Sequence, residues 1–184
     1  MRVGVHCDLE TCNDTKLWAL DFLECDAHEI LAASKAGLAK LKKTLSTRGQ
    51  GLTLLANHDT SLDDKTMSLM QKLTGELGAE AFVLQTTTTP PVEWTTRWKS
   101  IDGAPPLFVD PGKEQRTTDG VASALDPFHC EDPALSVYWR VHGWPPKWSL
   151  KDLSKLTLLY YPDWVVLAHP DRMEEAADLK GRLI

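Results

Sequence analysis

Segments of extended and of helical periodicity alternate through the first half of this chain, and that alternation constrains its fold more than any other feature. Arg2 to Cys7 reads as a strand. A helical stripe then runs from about Asp26 to about Thr47. Ala27, Ile30, Leu31, Ser34, Leu38, Leu41 and Leu45 form its inner side, with Lys35, Lys40, Lys42 and Lys43 outside. Arg48-Gly49-Gln50-Gly51 ends it, since glycine after a basic last turn suits a helix terminus. Leu52 to Ala56 is a short apolar strand. Ser61 with Asp64 resembles a capping box, and Met67, Leu69, Met70, Leu73 and Leu77 carry a second helix to Gly78. Ala81 to Gln85 is a further strand. The order β-α-β-α-β with short connections predicts a sheet flanked by helices.

The second half is less regular. Five of the seven tryptophans (Trp94, Trp98, Trp139, Trp144, Trp148) and most of the prolines fall between Pro90 and Trp148. Pro106 to Asp110 and Leu135 to Val141 read as strands within it. Leu156 to Tyr161 and Trp164 to Ala168 read as two more, joined as a hairpin by Pro162-Asp163. Pro170 suits the first turn of a last helix, with Asp171, Glu174 and Glu175 at its positive end.

This order resembles the thioredoxin-like fold. Gly103-Ala104-Pro105-Pro106-Leu107-Phe108-Val109-Asp110-Pro111-Gly112 is similar to that family's loop, proline, strand and glycine turn. Thr157-Leu158-Leu159-Tyr160-Tyr161-Pro162-Asp163-Trp164 is similar to its last hairpin. The two segments cannot fill the same role, so taking the ending as the hairpin makes residues 90–148 an insertion. The resemblance implies one α/β domain over residues 1–184, a central mixed sheet, and a cis peptide at Pro105. Family chemistry needs Cys-x-x-Cys at the start of the helix after the first core strand, where the helix end lowers a thiol pKa. Here that position reads Asn57-His58-Asp59-Thr60-Ser61-Leu62-Asp63-Asp64, so disulfide exchange by that route is not expected.

Other groups invite a chemical reading. Cys7-x4-Cys12 resembles half of the cluster motif of the thioredoxin-like ferredoxins, but no second close pair follows. His6-Cys7-Asp8 and His129-Cys130-Glu131-Asp132 carry zinc-type ligands without zinc-type spacing. Asp8-Leu9-Glu10-Thr11 resembles the opening carboxylate motif of proofreading exonucleases, yet a helix follows where strands should. His58-Asp59 stands at a strand-to-helix turn suited to a base and its orienter, or simply to a helix cap. The expectation is no catalytic residue, no metal and no cofactor.

A net charge of −6 disfavours a nucleic-acid groove, and no apolar run is long enough to cross a bilayer. Four sparse cysteines and an opening strand, in place of a leader's apolar core, imply an intracellular location, cytoplasm or organelle matrix. Tyr138-Trp139-Arg140-Val141-His142-Gly143-Trp144-Pro145-Pro146-Lys147-Trp148 is rich in the residues that anchor interfaces. Trp139, Arg140, Trp144 and Trp148 are therefore the expected protein-binding residues. The function expected is a non-catalytic scaffold or accessory subunit that binds other protein subunits. The alternative is a metal-dependent hydrolase or a thiol or iron–sulfur redox protein, using Asp8, Glu10, Cys7 and Cys12 with His58 and Asp59.

Overall fold

Eight short strands appear in the computed structural model, which describes residues 1–57, 64–86, 92–100, 102–111, 121–146 and 148–183. They are β1 (Arg2–His6), β2 (Phe22–Asp26), β3 (Gly51–Asn57), β4 (Ala81–Gln85), β5 (Leu107–Asp110), β6 (Ala122–Leu125), β7 (Tyr138–Val141) and β8 (Trp164–Leu167). Each pairs in parallel with the next. β8 returns to pair in parallel with β1, from Arg2 opposite Trp164 to Val5 opposite Leu167, and this closes the sheet into a barrel.

Parallel neighbours need a crossover, and helices provide most of them. α1 (Ala27–Ala32) and α2 (Lys35–Arg48) link β2 to β3, and α3 (Asp64–Leu77) links β3 to β4. α4 (Val92–Lys99) precedes β5, α5 (Leu150–Tyr160) precedes β8, and α6 (Met173–Arg182) follows it. The first crossover holds only the 3-10 turns Thr11–Asn13 and Thr15–Ala19, and that between β6 and β7 only Pro133–Leu135. Replacing helices by turns lets 184 residues close an eight-stranded barrel that usually takes about 250.

The period-2 alternation of each strand divides the core in two. Phe22, Leu55, Ala81, Val83, Phe108, Ala124, Tyr138 and Val166 fill the barrel, with Trp164 packed against them. Their strand neighbours, such as Leu23, Leu54, Phe82, Trp139 and Val165, join Ile30, Leu41, Leu153 and Leu179 of the helices in the outer core. Gly4 faces the interior, where an added Cβ would lie 2.7 Å from the Phe22 ring and 2.8 Å from its carbonyl oxygen. The backbone oxygen cannot step aside, so Gly4→Val is expected to cost about 1–3 kcal/mol, read as a lower urea midpoint with unchanged far-UV circular dichroism.

The closed all-parallel barrel overturns the thioredoxin-like mixed sheet. Residues 90–148 are no insertion; they supply α4, β5, β6 and β7. Leu156 to Tyr161 belongs to α5, whose Ser149–Asp152 capping box starts a helix with Leu153, Ser154 and Thr157 turned inward. The expected hairpin is instead the step from α5 to β8. The helix expected from Asp26 to Thr47 is two. Ala33 is extended, and Ser34 starts α2 afresh by accepting a hydrogen bond from the Gly37 N–H. No cis peptide occurs among the described residues, so Pro105 is trans. His58, Asp59, the Ser61 cap and Gly112 lie outside the described residues. No helix among the described residues is long and apolar enough to cross a membrane.

Candidate active site

In a closed parallel barrel the strand ends and the loops after them converge on one mouth, where functional groups from distant strands meet. Here the interior floor is aromatic. Ring centroids lie 4.9 Å apart for Phe108 and Tyr138, 5.6 Å for Phe108 and Trp164, and 5.8 Å for Tyr138 and Trp164. Above this floor, toward the carboxyl ends of the strands, the interior becomes charged.

Arg140 of β7 is the hub of that tier. Its Nε donates to Glu24 Oε1 of β2 at 2.9 Å and its Nη1 to Asp110 Oδ2 of β5 at 2.9 Å, all three groups being buried. Tyr138 donates its hydroxyl to Glu24 Oε2 at 3.0 Å, and Thr53 Oγ1 lies 3.2 Å from that hydroxyl. An imidazole flanks each carboxylate. His6 Nδ1 is 3.2 Å from Glu24 Oε1. His142 Nε2 is 3.1 Å from Asp110 Oδ2, close enough for an ion pair but out of line for a hydrogen bond. The His142 backbone N–H donates to Asp126 Oδ2 at 2.9 Å, and the same oxygen is 3.2 Å from His129 Nδ1. Side-chain exposure of 15% for His6 and 28% for His142 makes these imidazoles the accessible members of a tier whose carboxylates are sealed.

The electrostatics follow from this packing. Burial alone would raise the Glu24 carboxyl, but the Arg140 charge and the His6 contact outweigh it and hold Glu24 down to about 2. Burial likewise opposes the charge on Arg140, and the two carboxylates overcome it, raising its pKa. Burial, then the negative charge of Glu24, pushes Tyr138 well above its ordinary value, so it serves as a neutral donor. Two carboxyl groups share one guanidinium. If both ionise, one negative charge is left over beside two partly exposed imidazoles, the members of the tier that a molecule at the mouth can reach.

The residues expected from sequence to form one contact surface occupy three environments. Trp139 is fully buried on the outer face of β7, its indole N–H shared between Pro133 O at 3.1 Å and Ser136 O at 3.2 Å. Arg140, the next residue, points the opposite way into the barrel. Trp144 is half-buried, donating to Glu175 Oε2 at 3.0 Å beneath the Arg172 guanidinium. Trp148 is 44% exposed and packs on Phe128, ring centroids 4.9 Å apart.

The scaffold expectation falls with the fold it came from, because an empty redox position has no meaning in a barrel. Its alternative loses its ligands. Asp8 and Glu10 are exposed in the turn after β1. Cys7 is buried on the outer face with its Sγ 4.0 Å from that of Cys25, and Cys12 donates to Leu9 O. His6 turns inward, so the two His-Cys pairs do not converge. Among the described residues no three His, Cys, Asp or Glu side chains are placed to share a metal ion. Glu24, Asp110 and His142 were not singled out from sequence. The signal available was charged or ionisable residues lodged in short apolar segments: Glu24 in Phe-Leu-Glu-Cys-Asp, Asp110 in Leu-Phe-Val-Asp, and Arg140 with His142 in Tyr-Trp-Arg-Val-His.

No family model matches this chain, and no curated protein matches it. Among solved structures it is similar to a D-psicose 3-epimerase crystallised in the presence of D-fructose. That match has a TM-score of 0.60 and 13% identity over 100% of this chain and 97% of the other. It is similar also to the D-psicose 3-epimerase of Clostridium cellulolyticum H10 with D-tagatose, with a TM-score of 0.60 and 12% identity over 100% of this chain and 96% of the other. At such identities the likeness establishes the architecture, a closed eight-stranded parallel α/β barrel of the TIM type.

Proposed function

We propose that this chain is an enzyme that moves protons on a small molecule bearing hydroxyl and carbonyl groups, bound at the barrel mouth. One observation carries this reading: the buried Glu24–Arg140–Asp110 network at the carboxyl ends of the strands, with a partly exposed imidazole on each carboxylate. Burying ionised groups is costly, and an apolar layer of equal volume is often as stable or more so. A charged tier set where barrel enzymes place their chemistry therefore supports a catalytic use. The likeness to D-psicose 3-epimerases favours a sugar-sized ketose among such substrates.

The roles follow from accessibility. His6 and His142 carry the proton. A C–H beside a carbonyl gives its proton to an imidazole, the electron pair moves onto the carbonyl oxygen, and return of a proton to carbon completes the exchange. Arg140 is a positioning residue, since it holds both carboxylates that flank the imidazoles. Tyr138 fixes the second oxygen of Glu24 in the same way.

Incubation with D-fructose, D-tagatose and other ketohexoses in D2O tests the proposal, with deuterium entry at carbon followed by NMR. His142→Gln and His6→Gln are expected to slow that entry by about 10²–10⁴-fold while leaving the circular dichroism spectrum unchanged. No deuterium entry with any ketose, or entry that both variants retain in full, would sink it.

A further inference from the structure

The last turn of α5 carries large apolar residues on its outer as well as its inner side. Inward lie buried Leu153 and half-buried Leu150 and Leu156, beside Ser154 and Thr157, the latter donating to Ser154 O at 2.8 Å. Its exposed last turn carries Leu158, Leu159 and Tyr160, and Tyr161 follows. Leu159 is 67% exposed and Tyr161 71%. Tyr161 also sits in the left-handed region at φ 51°, a position that usually takes glycine. Within one copy, that bulky side chain gains little burial to offset the conformation.

Two further apolar residues extend this face. The Tyr160 ring lies 6.1 Å from that of Trp139, whose N–H donates to Pro133 O in the turn that ends at exposed Leu135. Exposed Val137 accepts hydrogen bonds from the Asp163 and Trp164 N–H groups, just past Tyr161. The patch borders the β6–β7 crossover, where a 3-10 turn stands in place of an outer helix. These six side chains present on the order of 600 Å², at the upper end for a monomer's largest apolar patch. A standard interface buries roughly 800 Å² per partner, and this patch supplies the apolar centre of one.

We infer that this face joins a second copy of the chain in a two-fold dimer. A two-fold interface must be self-complementary. Exposed Lys151 and Lys155 lie in the first half of α5, where Asp152 pairs with Lys155 at 3.3 Å and the net charge stays positive, and exposed Asp163 lies beyond the helix end. Antiparallel apposition of two α5 helices therefore sets the basic end of one copy against the acidic end of the other and closes the apolar centre. This association is independent of the catalytic reading.

Sedimentation velocity of the full chain over a range of concentrations tests the inference. A species of about twice 20.5 kDa is expected. Leu159→Asp and Tyr161→Asp should each weaken association at least tenfold. Lys155→Glu should weaken it, and adding Asp163→Lys should restore it, which keeps the test open if an apolar replacement misfolds. A monomer at every concentration overturns the inference, as does a dimer that survives both apolar replacements. A monomer that co-sediments with phosphatidylcholine vesicles through this face assigns it to lipid and overturns it as well.

Discussion

Replacing Arg140 with methionine is expected to destabilise the protein by about 3–5 kcal/mol, because it leaves two buried carboxyl groups without their cation. Glu24 and Asp110 each take a 2.9 Å hydrogen bond from that guanidinium and are sealed from water. The loss is a large part of the roughly 5–15 kcal/mol that holds a domain folded. Lysine should not rescue it, since one ammonium cannot reproduce a fork whose Nε and Nη1 address different partners. Adding Glu24→Gln to Arg140→Met should recover part of the loss by removing a buried charge, and the four proteins form a cycle that measures the coupling.

The same pair fixes a pH dependence. Glu24 has a folded pKa of about 2, below its ordinary 4.5, so it stabilises the fold above pH 4.5. That contribution is lost as pH falls from 4.5 toward 2. In Arg140→Met the sign reverses, because burial without the guanidinium raises the carboxyl, and acid then favours the folded form. The stability gap between wild type and variant should therefore narrow from the variant's raised carboxyl pKa downward, and go on narrowing as pH falls from 4.5 toward 2. Urea denaturation at pH 7, 5, 4 and 3 reads this directly, and a constant gap would count against the pair as the cause.

Trp139→Ala is expected to cost about 3–5 kcal/mol, comparable to the largest truncations in protein cores. The ring has no exposed surface, packs near Tyr160, and fills the outer face of β7 where no helix covers the β6–β7 crossover. The substitution also leaves Pro133 O and Ser136 O without their indole donor. Trp139→Phe should keep much of the packing while losing that donor. Trp148→Ala, by contrast, should change stability by less than about 1 kcal/mol, because its ring is 44% exposed. Equal urea midpoints for the alanine variants at 139 and 148 would show that β7 is not anchored in this way.

Several elements were legible from local pattern. β3, β4, β5, β7 and β8 are short runs of apolar residues, and α3 and α6 carry a single helical period. β2 was missed because Glu24 stands in its middle, and a buried charge reads as surface until its partner is known. The second half of α5 was taken for a strand because Leu156 to Tyr161 is an apolar and aromatic run interrupted only by the β-branched Thr157, too short for periodicity to assign. β6 was missed because Ala122-Ser123-Ala124-Leu125 has no β-branched or aromatic residue to mark a strand. The site was less legible than the fold. Arg140 was singled out for its company of tryptophans, whereas its partners lie 116 and 30 residues away.

By itself the sequence determined that extended and helical segments alternate, because that follows from backbone periods of 3.6 and 2. Only the tertiary structure decided which way is inward. Closure depends on pairing β1 with β8 across most of the chain, and that long-range contact places Arg140 inside with its carboxylates and Trp139 outside.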